Sequence, residues 1–196
     1  MSAMKRGSLP SELVKLICGM IAADESLMRQ AESRLEKLYG AIDLRSDIVP
    51  FDYTDYYKAE MGGNLLRAFV SFHDLIDPGQ LAEIMISTNS LEETFAVESG
   101  SGRKRRINID PGYVTPAKLV LATTKDFSHR IYLCDGIYAE VTLNFKKTGC
   151  SYFDWTYPDF KSGKYTPFLA EVRRRVMAAE GCKEECKPQM NADGRR

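Results

Sequence analysis

The residue types best suited to chemistry are concentrated between Lys125 and Glu140. Lys125 and Arg130 could hold a phosphate or a carboxylate, because both are cationic hydrogen-bond donors. His129 could act as a general acid or base, with Glu140 orienting its ring. The alternative is a structural network in which Arg130 pairs with Asp126 or Glu140 and His129 is simply hydrogen-bonded, since buried ion pairs collect the same residue types. The sequence leaves both interpretations open.

Two further groups of side chains could contribute to a site. Asp110 is predicted to follow a strand end, where carboxylates often face ligands, although Asp-Pro-Gly is also a ready β-turn sequence. Asp52, Asp55 and Glu60 share one connection and could bind a hard cation or act as acid and base. Alternatively, Asp52 and Asp55 cap a helical turn. Tyr56 in the same connection could stack on a ligand or pack as part of a lid.

Several familiar chemistries lack the residues that they need. A P-loop requires G-x-x-x-x-G-K-[ST] to wrap the phosphates, and the chain contains no such string. Cys182 and Cys186 have too few other ligands nearby for a zinc site, so no metal or cofactor is assigned. Lys plus Arg and Asp plus Glu both total 27. This balance argues against nucleic acid as a partner, despite the basic run Arg103–Arg106.

Length and composition predict one globular domain. The chain has 196 residues, 44% hydrophobic and 28% charged, and is long enough to bury a substantial core. We expect the domain to span residues 10–181, between flexible tails at 1–9 and 182–196.

The longest apolar run is too short to cross a membrane, the first residues do not resemble a secretory signal, and an odd count of five cysteines suits reduced thiols. These features predict a cytoplasmic protein without a membrane partner.

Hydrophobic periodicity predicts an α+β fold that begins with a ferredoxin-like core. The predicted order is strand, helix, strand, strand, helix, strand, which is the βαββαβ pattern of an antiparallel sheet with two helices on one face. The strands are Leu13–Ile21, Ile42–Ile48 (ended by Pro50), Leu65–His73 and Arg105–Asp110; the helices lie between Asp24 and Gly40 and over Pro78–Ala96. Pro50–Asn64 is predicted as a long connection, and ESGSGRKRR as a flexible loop.

A C-terminal extension is predicted to follow this core. It consists of a short helix, a β-hairpin and a final helix: Thr115–Thr123, His129–Cys134 with Ile137–Phe145, and Thr166–Gly181.

The hairpin register is predicted by its two-residue loop, Asp135 and Gly136. In that register Tyr132 faces Ala139, and His129 lies diagonally from Glu140 on the same face. We therefore expect His129 and Glu140 to cooperate.

Five strings carry a family resemblance: PFDYTDYY with EMG, NIDPGYVTPAKLVLATTKD, HRIYL, GIYAEVTL and WTYPDF. They resemble a family of small bacterial proteins with a domain of unknown function, whose members are often labelled GTP-binding proteins. The resemblance covers most of residues 13–178. It implies no reaction, ligand or catalytic residue, and the missing P-loop argues against the GTP label.

Together these observations predict a small anionic ligand, phosphate-bearing or nucleotide-like, in a polar pocket. The pocket would combine the Asp52–Glu60 segment, Asp110 and the Lys125–Glu140 group. One alternative is a metal-assisted hydrolase or transferase with His129, Glu140 and Asp110 as catalytic groups. The other is a non-catalytic protein-interaction module whose aromatic side chains form the contact surface. The sequence does not decide whether the protein is an enzyme, nor its oligomeric state.

Overall fold

The computed structural model describes residues 12–100 and 102–185. The strands are β1 (Val14–Ala22), β2 (Ile42–Arg45), β3 (Val49–Phe51), β4 (Leu65–Ile76), β5 (Val97–Ser99), β6 (Gly102–Lys104), β7 (Ile107–Val114), β8 (Lys118–Thr123), β9 (Ile131–Cys134), β10 (Ile137–Lys146) and β11 (Gly149–Tyr152). The helices are α1 (Glu25–Tyr39), α2 (Lys58–Met61), α3 (Leu81–Phe95), α4 (Pro158–Lys161) and α5 (Thr166–Glu185). The α+β class is therefore confirmed.

A nine-stranded antiparallel sheet organises the fold. Its order is β11-β10-β8-β7-β1-β4-β2, with β3 also paired to β4 and β9 to β10, while β5 and β6 form a separate pair. β1 lies between β4 and β7 and is buried along its whole length. The sheet is larger than the predicted core, because β8 to β11 extend it beyond β7. The ferredoxin-like arrangement of the core stays a prediction.

Alternate residues of β1 face two different helical layers. Leu16, Cys18 and Met20 pack in one buried cluster with residues of α1 and α3. Ile17 points to the opposite face, in a cluster with residues of α5. Ile21, further along that second face, packs instead with Phe51 and its neighbours. The face of the sheet that packs against α5, called the α5 face below, is thus covered by two parts of the chain: α5 itself and the segment around Phe51. The candidate site lies where these two parts meet.

The helices begin where their capping residues predict. Asp24 Oδ1 accepts a hydrogen bond of 2.8 Å from the backbone N–H of Leu27, which satisfies an exposed donor at the start of α1. Gly40 ends this helix with φ of 89°, a conformation that favours glycine. A 3-10 turn at Pro78–Gln80 leads directly into α3, so the single helix predicted for this region is confirmed.

Two predictions around Asp-Pro-Gly are wrong. Residues 110–112 lie inside β7 and do not form a turn; Pro111 is tolerated there because β8 pairs with β7 only from Gly112 onward. The predicted helix Thr115–Thr123 is largely β8. Thr115 and Pro116 belong to the turn before it, and Thr115 Oγ1 accepts hydrogen bonds from the next two N–H groups. The structure therefore continues the sheet where the sequence predicted a helix.

Other boundaries also differ from the predictions. The predicted strand Ile42–Ile48 is shorter, ending at Arg45 as β2, and Pro50, which was expected to end it, lies within the next strand, β3. The predicted flexible loop contains β5 and β6, and β11 was not predicted. Helix α5 continues past Gly181 to Glu185; the tail predicted at 1–9 and the residues after 185 lie outside the described part.

The Asp135–Gly136 hairpin is confirmed, with φ of 50° and 75° at these residues. Its register is not the predicted one. Tyr132 pairs with Tyr138 because of an irregularity after Ile137. Within the described residues, no helix is long and apolar enough to span a bilayer.

Candidate functional site

A cavity of about 430 Å³ lies on the α5 face of the sheet. Its lining includes charged residues of three strands, Arg67 of β4, Asp110 of β7 and Glu140 of β10. Two aromatic segments complete it: Tyr53, Thr54, Tyr56 and Tyr57 after β3, and residues 157–160 around α4. The register explains why the strand residues meet. Arg67 pairs with Ile21 and Asp110 with Gly19, and these two β1 residues share one face because side chains alternate along a strand.

The centre of the cavity is a buried ion pair. Arg67 Nη1 donates to Asp110 Oδ2 at 2.9 Å, with only 5% of the Arg67 side chain and 28% of the Asp110 side chain exposed. No described protein atom accepts a hydrogen bond from Arg67 Nε. The guanidinium also lies 4.7 Å from the centre of the Phe69 ring. Nε is thus a buried donor of Arg67 for which the described protein supplies no acceptor.

Gly19 makes room for this pair on the central strand. A Cβ at this position would lie 2.7 Å from Arg67 Nη2 and 2.6 Å from Phe69 Cε1. Real Cβ atoms do not approach other atoms so closely. The guanidinium can therefore cross β1 to Asp110 only because residue 19 has no side chain.

Two protonatable groups face the same centre. Burial raises the pKa of the Asp159 carboxyl, although the nearby Arg67 guanidinium opposes the shift. Burial, and then the charge of Asp110, raise the pKa of the Tyr57 hydroxyl well above its usual range. The cavity centre thus combines one cation, two carboxyl groups and a neutral phenol.

A chain of hydrogen bonds extends outward from Asp110. Asn108 Nδ2 donates to Asp110 Oδ1 at 2.7 Å, and Arg105 Nη1 donates to Asn108 Oδ1 at 2.9 Å. Arg105 also pairs with Glu60 at 3.0 Å and with Glu92 at 3.7 Å. Asp110 is consequently held by neighbours on both of its oxygens.

Glu92 at the outer end of this chain is buried below a second, open groove of about 690 Å³. Its Oε1 accepts a 2.5 Å hydrogen bond from the backbone N–H of Ile109. Burial raises the pKa of Glu92 to about 7, against the lowering effects of that hydrogen bond and of Arg105.

Glu140 is the centre of a second network. Its Oε2 accepts a hydrogen bond from Arg130 Nε at 2.9 Å and lies 3.0 Å from His129 Nε2. Arg130 also donates to the carbonyl oxygen of Lys125 at 2.9 Å and to the Tyr157 hydroxyl at 3.0 Å. These are contacts that the structural-network interpretation predicts. All three nitrogens of the Arg130 guanidinium have protein partners.

His129 lies outside the cavity lining. Its ring stacks on Trp155 with centroids 4.9 Å apart and planes 13° apart. The histidine reaches the cavity only through the carboxylate of Glu140.

Lys125 and Tyr56 lie at the mouth of the cavity, where both are exposed. Lys125 Nζ lies 4.0 Å from the centre of the Tyr56 ring, and its hydrogen bond and charge lower the pKa of the Tyr56 hydroxyl. No carboxylate in the described part of the chain lies within ion-pair distance of Lys125. Lys125 is thus a cation without an acidic partner there.

The predicted site residues divide into two groups. Five line the cavity: Tyr56, Asp110, Lys125, Arg130 and Glu140. The other four do not: Asp52, Asp55, Glu60 and His129. Asp55 pairs with Lys58 at 2.6 Å and Glu60 with Arg105, while Asp52 is exposed. Between residues 12 and 185, Ser101 excepted, no three His, Cys, Asp or Glu side chains are arranged to hold a metal ion.

Two charged cavity residues were not singled out from the sequence: Arg67 and Asp159. Arg67 did have a signal, because it is the one charged residue in the run LLRAFVSF. A charge within an otherwise buried strand needs a partner or a ligand. Asp159 had a weaker signal, its position in the distinctive string WTYPDF.

Comparison with known proteins supports the resemblance found in the sequence. A protein-family model described as a domain of unknown function (DUF4416) matches residues 12–176. No curated protein and no solved structure matches the chain.

Proposed function

The chain belongs to the family described as a domain of unknown function (DUF4416), and we propose that it binds a small anionic ligand in the cavity around Arg67. The observation that carries this proposal is the mostly buried Arg67 guanidinium in the cavity lining, whose Nε has no acceptor among the described residues. Buried donors without partners are costly, and a guanidinium is well suited to polar and anionic groups. Lys125 adds a second cation at the mouth.

The size and walls of the cavity support a ligand larger than a lone phosphate. A volume of about 430 Å³ falls within the range typical of small-molecule sites. The walls include Phe51, Tyr53, Tyr57, Tyr157 and Phe160, which offer aromatic faces to a ring or a sugar. A phosphate-bearing or nucleotide-like ligand combines such a body with an anionic group.

Calorimetry and thermal unfolding of the full chain test this proposal. The probes are nucleoside monophosphates, sugar phosphates and inorganic phosphate. At least one organic phosphate should raise Tm, because a ligand at about 100 times its Kd adds about 2.7 kcal/mol to the free energy of unfolding. Lys125→Gln should weaken this response, whereas Lys147→Gln, the same change in the β10–β11 turn, should not. A folded sample that responds to none of these compounds would refute the proposal.

The enzymatic alternative uses the same residues. A metal-assisted hydrolase or transferase would need His129, Glu140 or Asp110 to reach a bound substrate, and Asp110 and Glu140 line the cavity. Turnover of a phosphate ester by the protein with added Mg²⁺ or Mn²⁺, lost in Asp110→Asn, would support it.

The protein-interaction alternative is supported by the exposed apolar residues of β9. Neither alternative has an observation comparable to Arg67.

We also propose that β1, α1, β2, β4, α3 and β7 form a ferredoxin-like core. The neighbours β7-β1-β4-β2, all antiparallel, and the helices after β1 and β4 support this arrangement. A crystal structure with another order of these four strands would refute it.

A cytoplasmic location without a nucleic-acid partner completes the proposal. A net charge of zero supports the lack of a nucleic-acid partner, as do the ion pairs of Arg103, Arg105 and Arg106 with carboxylates. Binding of labelled DNA or RNA at physiological salt would contradict this part.

A further inference from the structure

We infer that the ligand enters the cavity with a neutral polar ring or sugar first and leaves its anionic group at the mouth beside Lys125. This inference rests on the proposed function and adds a class and an orientation. The ligand would be a nucleotide or a phosphosugar, held by its base or sugar at the Arg67 centre.

The first argument is the charge at the cavity centre. Arg67 is paired with Asp110 at 2.9 Å, and Asp159 is a second carboxyl group close enough to act on its charge. A phosphate placed on Arg67 would therefore approach carboxylates beside a side chain that is only 5% exposed, and like charges in a partly buried site repel more strongly than in bulk water. A neutral group meets no such repulsion, so the centre suits the uncharged part of a ligand.

The second argument is the hydrogen-bonding character of the same residues. Arg67 supplies N–H donors, Asp110 supplies acceptor oxygens, and the neutral Tyr57 hydroxyl can donate or accept, and all three residues line the cavity. Donors and acceptors side by side match a group that also has both, such as the amide edge of a base or neighbouring sugar hydroxyls. The two Asp110 oxygens already accept from Arg67 and Asn108 and keep further lone pairs, to which a phosphate, being chiefly an acceptor, would not donate.

The third argument separates the two cations near the mouth. Arg130 already donates from Nε, Nη1 and Nη2 to Glu140, the Lys125 carbonyl and Tyr157. The Lys125 ammonium instead contacts the Tyr56 ring and makes no ion pair with a described carboxylate. It can turn toward an anion without breaking a salt bridge. The anionic group of the ligand is therefore expected beside Lys125.

Isothermal titration calorimetry on the full chain tests the orientation with matched pairs. The probes are adenosine, guanosine, cytidine and uridine with their 5′-monophosphates, ribose and glucose with ribose 5-phosphate and glucose 6-phosphate, and inorganic phosphate. For the pair that binds, Lys125→Gln should weaken the phosphorylated member by about ten- to hundredfold, the worth of one charge-assisted hydrogen bond. The unphosphorylated member should bind this variant as it binds the wild type, and Lys147→Gln should change neither.

A change at the cavity centre should act differently. Asp110→Asn should weaken both members of the pair by the same factor, because it alters the contact with the base or sugar. If this variant does not fold, Tyr57→Phe tests the same contact with a smaller perturbation.

Three results would overturn the inference. Inorganic phosphate binding as tightly as the whole ligand would show that the base or sugar is not held at the Arg67 centre, and a phosphorylated ligand unaffected by Lys125→Gln would show that Lys125 does not hold the anion; both results leave the proposed function intact. Equal affinity of the wild type for both members of a pair would show that Lys125 does not hold the anion. Absence of any binding across the whole set would refute the proposed function itself.

Discussion

Replacing Asp110 by Asn tests whether the ion pair is what holds a charged guanidinium inside the cavity. The Arg67 side chain is only 5% exposed, so the variant leaves a cation where water cannot solvate it. Breaking a buried pair by removing one partner costs about 3 to 5 kcal/mol. Asp110 itself is 28% exposed and the amide oxygen can still accept from Arg67, so we expect the free energy of unfolding to fall by about 2 to 3 kcal/mol.

The reverse substitution should cost less. Arg67→Met removes the buried charge itself, and the remaining Asp110 keeps its 2.7 Å hydrogen bond from Asn108 and its partial exposure. The double variant Arg67→Met/Asp110→Asn should be no less stable than Asp110→Asn alone. The resulting coupling energy should be at least about 1 kcal/mol, as expected for residues in direct contact.

Urea unfolding followed by the fluorescence of the single tryptophan, Trp155, measures all three variants. Asp47→Asn is the matched control, because Asp47 is exposed and makes no ion pair with a described residue; it should change the stability by less than about 0.5 kcal/mol. If Asp110→Asn costs no more than the control, or if the coupling energy is zero, the ion pair does not stabilise the buried guanidinium.

Three further predictions concern other parts of the structure. Burial gives Glu92 a pKa of about 7 in the folded protein, against a reference value of 4.5. Its contribution to stability is therefore full below about pH 4.5 and is lost as the pH rises through about 7. Urea titrations from about pH 5 to 8 should show this loss, on the order of 3 kcal/mol, in the wild type but not in Glu92→Gln. Gly112→Ala would drive a Cβ into the β8 backbone and should lower stability by about 2 to 3 kcal/mol, whereas Gly63→Ala meets nothing within 4 Å and should unfold in urea like the wild type. His129→Ala removes one partner of the buried Glu140 and should lower Tm while calorimetry shows unchanged ligand affinity; lost binding at unchanged Tm would instead favour a direct role.

Local signals predicted the elements whose ends depend on a single residue. Helix α1 begins after Asp24 and ends before Gly40 because a side-chain cap and a positive φ act within one turn. The Asp135–Gly136 loop was predicted for the same reason. Its register was not, because the irregularity after Ile137 depends on how β10 pairs with its neighbours and not on the loop.

The region around Pro116 shows where local signals fail. Thr115 followed by Pro116 occurs at helix starts and in tight turns alike, and the run KLVLAT is too short for its periodicity to separate helix from strand. Pairing of β8 with β7 and β10 decided the outcome. Likewise, Asp-Pro-Gly is extended because β1 pairs along the whole of β7.

The candidate site was predictable in part. Asp110, Lys125, Arg130 and Glu140 stood out because they are polar residues beside predicted strands, and all four line the cavity. Arg67 was missed because its partner lies 43 positions later in the sequence, and only the order of the strands brings the two together.

The position of the Arg67–Asp110 pair supports a role in binding more than a role in stability. The two residues belong to strands that β1 separates, so the guanidinium must cross the central strand, and Gly19 leaves the space that it occupies. A buried ion pair is often no more stabilising than well-packed apolar residues of the same volume. Gly19, Arg67 and Asp110 therefore maintain an arrangement that an apolar core would not require, and this arrangement leaves Arg67 Nε without a described protein acceptor in a residue that lines the cavity. The proposed ligand, by binding at this guanidinium, would explain an arrangement that folding alone does not require.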